Sequence, residues 1–423
     1  MNDIVRRVDH CRVCDADDWI EVISFGSHPL ANGFQPPADS YEETAYPLDV
    51  IVCRRCRLMS IRHVIDPEVL FGHYVYLTSD SAQITGHMRH VAEVAAERSG
   101  MAPGDLVVEL GSNIGTQLGI FQEAGMRAVG VDPARNLAEV ANRNGVPTFA
   151  TFFGAEVALR IEEEHGRAKF VLGRQCFAHI DDVQGVLDGV NAVIAPDGVL
   201  AIEVPYLLDL LDDNQFDTIF HEHLSYYSLS TLTTLFARKG LRVIDVERAP
   251  VHGGSIIVFA TPESSPHGVR PSVAELRALE TTRGIGTDAP YLAFAERTER
   301  AIGRIRSTVR ELVGEGKRVA GYGAPSKGCA LLQFCGLTAA DIDFCTDTTV
   351  RKQGTVTPGT HIPVLSPADA RRDPPDYYLL LAWNYAEEIL AKESEFLRAG
   401  GGFIVPIPLP AVVTAETVND AAA

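Results

Sequence analysis

An α/β fold is predicted by three features of this chain. A buried strand, glycine turn and helix follow one another at 106–121, a second such unit spans 317–328, and two Cys-x2-Cys pairs sit near the N-terminus. A length of 423 residues exceeds one typical hydrophobic core, so two or three domains are expected. The formal net charge of −19 opposes bulk neutralisation of phosphates, which argues against nucleic acid as a partner. No apolar run reaches about 20 residues, and Met1-Asn2-Asp3-Ile4 does not open an apolar signal region, so no membrane partner and a cytoplasmic location are expected.

Four of the eight cysteines fall in Cys11-x2-Cys14 and Cys53-x2-Cys56, the rest being scattered. Two tight turns that each present two thiolates match the ligand set of structural zinc better than a disulfide scaffold. With all four positions filled by sulfur, the metal has no open site for catalysis. Its role is to fold a small N-terminal module.

Leu106-Val107-Val108-Glu109-Leu110 reads as a buried strand, and Gly111-Ser112-Asn113-Ile114-Gly115-Thr116 as the turn into a helix through Leu118, Ile120 and Phe121. The glycines let the backbone approach a ligand. Ala128-Val129-Gly130-Val131-Asp132 follows as a second strand, its acid placed where ribose hydroxyls are bound. A dinucleotide site shows Gly-x-Gly-x-x-Gly, whereas this turn reads Glu-x-Gly-Ser-Asn-x-Gly, which resembles the first motif of class I methyltransferases. Further strands are predicted at Phe170-Val171-Leu172 and, after a turn at Pro196-Asp197-Gly198, at Val199 to Pro205. Gln175 and His179 lie just past the first of these, at the carboxyl end where open α/β sheets bind ligands.

Phe220-His221-Glu222-His223-Leu224-Ser225-Tyr226-Tyr227 packs imidazoles, a carboxylate and phenols into eight residues. The histidines are spaced i and i+2, not the i and i+4 that a helical zinc site needs, so the run reads as acid/base chemistry. Tyr226 and Tyr227 read as packing residues. A helix-rich connector at roughly 268–315 then leads to Lys317 through Gly328, again strand, glycine loop and helix, with further strands at Ile342 to Asp347 and Tyr377 to Leu381. Lys327, in that loop at a helix start, suits a diphosphate, and a solvated surface lysine is the competing reading.

Together these segments resemble the zinc-containing, S-adenosylmethionine-dependent C-methyltransferases that act on nucleotide-linked keto-deoxysugars in bacterial secondary metabolism. The resemblance covers nearly the whole chain. It rests on both cysteine pairs, Val107 to Asn113, Phe177-Ala178-His179-Ile180, His221-Glu222-His223, His252-Gly253-Gly254-Ser255, Gly321 to Pro325 and Pro358 to Pro363. It implies a zinc-binding module at 1–70, a class I (Rossmann-like) methyltransferase domain at 71–265, and a C-terminal Rossmann-like domain at 266–423 that helps hold the sugar nucleotide. The implied cofactors are S-adenosylmethionine and structural zinc, and the implied partner is a nucleotide-linked sugar, a dTDP-sugar, in deoxysugar and antibiotic biosynthesis.

The resemblance also implies residue roles. Glu109, Gly111, Ser112, Asn113, Gly115, Asp132 and Gln175 bind the methyl donor. His223 is the base, Glu222 orients a histidine or binds a sugar hydroxyl, and His179 or Tyr76 donates to a developing enolate oxygen. Phe220, His221, His252, Ser255, Tyr322 and Lys327 line the sugar-nucleotide side. The chemistry is consistent, because carbon attacks a sulfonium only after a proton next to a ketone is removed.

Four positions depart from the family pattern: Phe220 for a tyrosine, Ile114 for an acid, Gln175-Cys176-Phe177 for a run opening on asparagine, and Cys329 for an asparagine. The lost tyrosine hydroxyl favours a different sugar, and a non-sugar acceptor is the alternative. An NAD(P)-dependent sugar-nucleotide oxidoreductase is disfavoured because neither glycine loop carries the full dinucleotide fingerprint. A non-catalytic zinc-ribbon binding protein is opposed by the acid/base cluster.

Overall fold

The computed structural model describes residues 4–38, 40–72, 74 and 82–417. Tyr76, named above as an enolate donor, lies outside the described residues. The chain divides into two compact units, each assembled from three stretches. One comprises Met1–Ile20, Ile51–Leu208 and Leu224–Asp288; the other comprises Glu21–Val50, Asp209–His223 and Ala289–Ala423.

The first unit is built on a seven-stranded sheet. In chain order its strands are β1 (Leu106–Leu110), β2 (Arg127–Val131), β3 (Thr148–Phe149), β4 (Ala168–Arg174), β5 (Ile194–Pro205), β6 (Leu241–Ala249) and β7 (Ser255–Pro262). Their spatial order is β6-β7-β5-β4-β1-β2-β3. Neighbours from β5 to β3 pair in parallel, and β7 runs antiparallel to both β5 and β6. Every residue of β1 is buried, as a parallel strand covered on both faces requires. The chain winds β1, β2, β3 to one side and then returns to place β4 on the other side of β1. That reversal makes the carboxyl ends of β1 and β4 the crevice where such sheets take ligands.

The turn expected at Pro196-Asp197-Gly198 falls within β5, where the pairing with β4 shifts register between Ile194 and Val199. The segment therefore bulges without ending the strand. Helix α1 (Ala82–Ser99) presents Ile84, Met88, Val91 and Ala95, spaced by four, three and four, to a core shared with Val107, Phe170, Leu172, Ala201 and Phe259. Helix α2 (Thr116–Glu123) follows the glycine turn, α3 (Leu229–Arg238) begins at the Ser228 cap, and α4 (Pro271–Thr282) carries the buried Glu280. Glu280 accepts from the Leu229 and Ser230 amides at 2.6 and 3.0 Å and from the Tyr206 hydroxyl at 3.0 Å, so its carboxylate serves the start of α3.

The second unit holds a six-stranded sheet of β8 (Val319–Tyr322), β9 (Cys345–Thr346), β10 (Val364–Leu365), β11 (Tyr377–Leu380), β12 (Gly402–Val405) and β13 (Ala411–Val413). The order is β10-β9-β8-β11-β12-β13, parallel except for β13. Helix α5 (Ala289–Gly314) buries Tyr291, Phe294, Thr298, Ala301, Ile305 and Val309 on one stripe, and α6 (Ser326–Cys335) follows the glycine loop. Glu21–Val50 belongs to this unit: Phe25 stacks on Phe334 at 4.1 Å, Glu43 accepts from the Gly359 amide at 3.0 Å, and Gln35 bridges Val356 backbone to backbone.

Candidate active site and zinc site

The two cysteine turns fold alike. Asp15 and Arg57, each following the second cysteine of its pair, are left-handed (φ 59° and 62°), and their amides donate to the carbonyls of Cys11 and Cys53, both at 2.9 Å. This brings the four buried sulfurs within 4.8 Å of one another, with Cys11 to Cys56 at 3.4 Å and Cys14 to Cys53 at 3.5 Å. Tetrahedral zinc with Zn–S bonds near 2.3 Å separates sulfurs by about 3.8 Å, so the set fits that ion. Arg54 and Arg57, on either side of Cys56, both bind Asp288, at 2.6 and 2.7 Å.

At the β1–β4 crevice the turn is left-handed at Gly111, Asn113 and Gly115 (φ 65°, 51° and 81°). A Cβ on Gly111 would lie 2.7 Å from that of Cys176, which is why only glycine serves there. Asp132 accepts from the Asn113 amide at 2.7 Å and the Ala134 amide at 2.9 Å, tying the end of β2 to the turn after β1. Burial pushes its carboxyl upward, and these two amides oppose the shift. Glu109, at the end of β1, is 3% exposed, and its Oε2 has no hydrogen-bond partner among the described residues. Burial raises its carboxyl to about 8, opposed by the charge of Arg174 and reinforced by those of Asp132 and Glu203. An orphaned acidic oxygen beside a glycine cradle suits a cationic nucleoside such as S-adenosylmethionine.

Gln175 is left-handed (φ 53°) just past β4, and its Nε2 donates to Glu203 Oε1 at 2.6 Å and to Ser255 Oγ at 3.1 Å. A residue expected at the donor and one expected at the sugar thus meet through one amide. Glu203 sits opposite Arg174 in the β4–β5 register, is wholly buried, and also takes His87 at 2.8 Å and Arg174 at 3.3 Å. Burial alone would raise its carboxyl, but the His87 hydrogen bond, the Arg174 charge and the Gln175 amide bring it down to about 2. His179 lies in a short turn, stacked on Phe71 with centroids 5.5 Å apart, and burial lowers its imidazole to about 4. His252 is left-handed (φ 57°) in the β6–β7 turn.

In the second unit, His223 Nδ1 lies 2.7 Å from the Thr218 carbonyl. A carbonyl only accepts, so in the neutral ring Nδ1 carries the proton and Nε2 the lone pair. Phe220 lies against this ring at 4.2 Å. His221 is buried with Nε2 3.1 Å from the Tyr46 carbonyl, and Glu222 accepts from Asn32 at 2.6 Å. At the second glycine loop, Lys327 Nζ is buried 4.8 Å over the Trp383 ring, and Trp383 donates to the buried Asp217 at 2.6 Å. The Tyr322 hydroxyl donates to Glu393 at 2.8 Å.

Family models match three consecutive parts of the chain: a zinc binding domain at residues 11–71, a methyltransferase domain at 86–246 and a C-methyltransferase C-terminal domain at 250–408. The C-methyltransferase NovU of Streptomyces niveus is 58% identical over 418 residues, 99% of this chain and 100% of that one. The chain belongs to the C-methyltransferase family. Two solved structures are similar over less than half of it. Magnesium protoporphyrin IX methyltransferase from Synechocystis PCC 6803 covers 42% of this chain and 81% of its own at 13% identity and TM-score 0.33, and the PH0226 protein from Pyrococcus horikoshii OT3 covers 44% and 94% at 14% and 0.36.

This C-methyltransferase takes its methyl group from S-adenosylmethionine and carries a four-cysteine zinc site, which removes the oxidoreductase and the non-catalytic binding readings. Sequence reasoning missed His87, Arg174, Glu203, Asn32, Asp217 and Trp383. Glu203 did carry a signal: a lone acid inside the apolar run Ala201-Ile202-Glu203-Val204 has to be paired once buried. Asn32, in a short loop of ordinary composition, carried none.

Proposed function

We propose that this C-methyltransferase removes the proton next to the ketone of a nucleotide-linked keto-deoxysugar, C3 of a 4-keto sugar, and methylates the resulting enolate in the cytoplasm. The observation that carries this reading is the tautomer of His223, whose Nδ1 is committed to the Thr218 carbonyl so that Nε2 presents a lone pair. His223 takes the C3 proton, the pair of the C–H bond forms the new C3–C4 π bond, and the carbonyl π pair moves onto the ketone oxygen. His179, neutral near pH 7, donates its N–H to that oxygen. Bound S-adenosylmethionine supplies an electrophilic methyl on a sulfonium. Glu109 and the turn from Gly111 to Gly115 hold the donor's cationic and nucleoside parts, and Asp132 takes the ribose hydroxyls.

Lys327, at the start of α6, binds the diphosphate of the sugar nucleotide, and Tyr322, His221, His252, Ser255 and Phe220 shape the sugar side. The preferred nucleotide is a dTDP-sugar. Phe220 offers no hydroxyl, so the sugar it faces needs no partner there. The three parts matched by family models correspond on this reading to a zinc module at 1–70, a donor domain at 71–265 and a sugar-nucleotide domain at 266–423.

The test is proton exchange in deuterated water. With a 4-keto sugar nucleotide, the enzyme is expected to wash deuterium into C3, and His223→Asn to abolish both exchange and methyl transfer while leaving donor affinity within about twofold. Retained turnover by His223→Asn moves the base elsewhere, and methylation of a non-sugar ketone with none of the sugar nucleotide replaces the acceptor.

A further inference from the structure

We infer that Asn32 is a positioning residue that sets the carboxylate of Glu222 and ties it to the start of helix α6; the inference rests on the acceptor reading above. Asn32 donates through Nδ2 to Glu222 Oε1 at 2.6 Å and accepts at Oδ1 from the Ser326 hydroxyl at 2.7 Å. Chemistry allows the amide one orientation. A carboxylate only accepts, so the NH2 must face Glu222, and the oxygen that remains must face a donor, which Ser326 provides.

Both ends of this bridge are pinned. On the Asn32 side the Gly33 amide closes a turn onto the Leu30 carbonyl at 2.9 Å, Ala31 is buried, and the Val356 amide donates to the Gln35 carbonyl at 2.8 Å. On the Ser326 side the Ala324 amide donates to Asp347 at 2.8 Å and Lys352 Nζ to the Ala324 carbonyl at 2.8 Å, so the glycine loop is held from both faces. A rigid platform therefore fixes the rotation of a carboxylate that sits between His221 and His223. Lys327 follows Ser326 directly, so the loop proposed to hold the diphosphate and the run proposed to hold the base share one hydrogen-bonded frame.

The test compares Asn32→Asp with Asn32→Ala between pH 5.5 and 8.5. Asn32→Asp keeps the shape but faces Glu222 with a second carboxylate, and the pair can bond only when it holds a proton. At pH 8 both variants are expected to lose kcat by on the order of 10-fold, the size of one charge-assisted hydrogen bond, with the KM for S-adenosylmethionine unchanged. Toward pH 5.5 Asn32→Asp recovers and Asn32→Ala does not. Asp217, His221, His223 and Lys327, together with Asp347 and Lys352 beside the glycine loop, are common to both variants and cancel. A wild-type pH profile in Asn32→Asp, or an Asn32→Ala kcat within about twofold of wild type, overturns the inference.

A second readout needs no sugar. The thermal midpoint of Asn32→Asp is expected to fall relative to Asn32→Ala as pH rises, and adding Glu222→Gln to Asn32→Asp to remove that trend. Parallel midpoints overturn the pairing. Should unaltered enzyme methylate no keto-sugar nucleotide, the acceptor assignment fails by itself and the midpoint series still decides whether Asn32 governs Glu222.

Discussion

Gln175 donates to Glu203 across 2.6 Å at the carboxyl ends of adjacent strands, and the Ser255 oxygen that shares its amide spends its own proton on the Val251 carbonyl at 3.1 Å. Both neighbours accept, so the Gln175 oxygen must turn the other way. Glu203→Gln removes the anion that His87 and Arg174 face and leaves a nearly buried guanidinium uncompensated. The expected loss is about 3–5 kcal/mol in urea unfolding near pH 7. Because the folded pKa lies below the unfolded value, the stabilisation from Glu203 is present above pH ~4.3 and is lost as pH falls toward 2. The acid limb of the wild-type stability profile is therefore expected to flatten in Glu203→Gln.

Donor binding is expected to release a proton from Glu109. Burial keeps this carboxyl protonated up to about pH 8, and a cationic ligand beside its orphaned oxygen favours the ionised form. Calorimetry at pH 7 with S-adenosylmethionine and no acceptor, in buffers of differing ionisation enthalpy, is expected to report a release that Glu109→Gln lacks. In the free protein a raised folded pKa means that stability is lost as pH climbs from about 4.3 to 8. Glu109→Gln removes that loss, so its thermal midpoint gains on wild type across the same window.

Metal analysis is expected to find one zinc per chain, and substitution of any of the four cysteines by serine to lower it. The cost is structural, since four sulfurs leave no coordination position for substrate. Removal of the ion by a chelator also loosens the turn that aims Arg54 and Arg57 at Asp288. Thermal midpoints of apo and reconstituted protein, with zinc affinity falling at acid pH as thiolates take up protons, check this.

The sheet was legible wherever burial left a run of apolar residues. Leu106 to Leu110 and Ala128 to Val131 are strands within a residue of their expected limits, and the Glu-x-Gly-Ser-Asn-x-Gly turn sits at the crevice between β1 and β4. The Cys-x2-Cys spacing was legible for the same local reason, because two thiolates on one tight turn need no distant partner. What stayed hidden is what folding assembles from far apart. Asn32 reaches Glu222 across 190 positions, and Trp383 reaches Asp217 across 166. Neither spacing leaves a periodic trace, and an asparagine in a turn is ordinary. Pro196-Asp197-Gly198 misled for a different reason: β5 pairs with β4 both before the segment, at Ile194, and after it, at Val199, so the segment stays within the strand as a bulge.

Lys327→Met separates the proposed diphosphate role from a packing role. The methionine keeps the apolar stem over Trp383 and removes the charge. The KM for the sugar nucleotide is expected to rise on the order of 10-fold with the KM for the donor unchanged, a charge-assisted contact being worth about 1.5–3 kcal/mol. Asp217 supplies an independent check. Burial lifts its carboxyl to about 6, and the Lys327 charge and the Trp383 hydrogen bond limit that rise. A raised folded pKa costs stability as pH climbs from about 3.9 to 6 in wild type. Without Lys327 the carboxyl rises further, so the thermal midpoint of Lys327→Met is expected to keep falling against wild type between pH 6 and 8. A deficit that does not vary with pH would mean that the lysine and the aspartate do not sense each other.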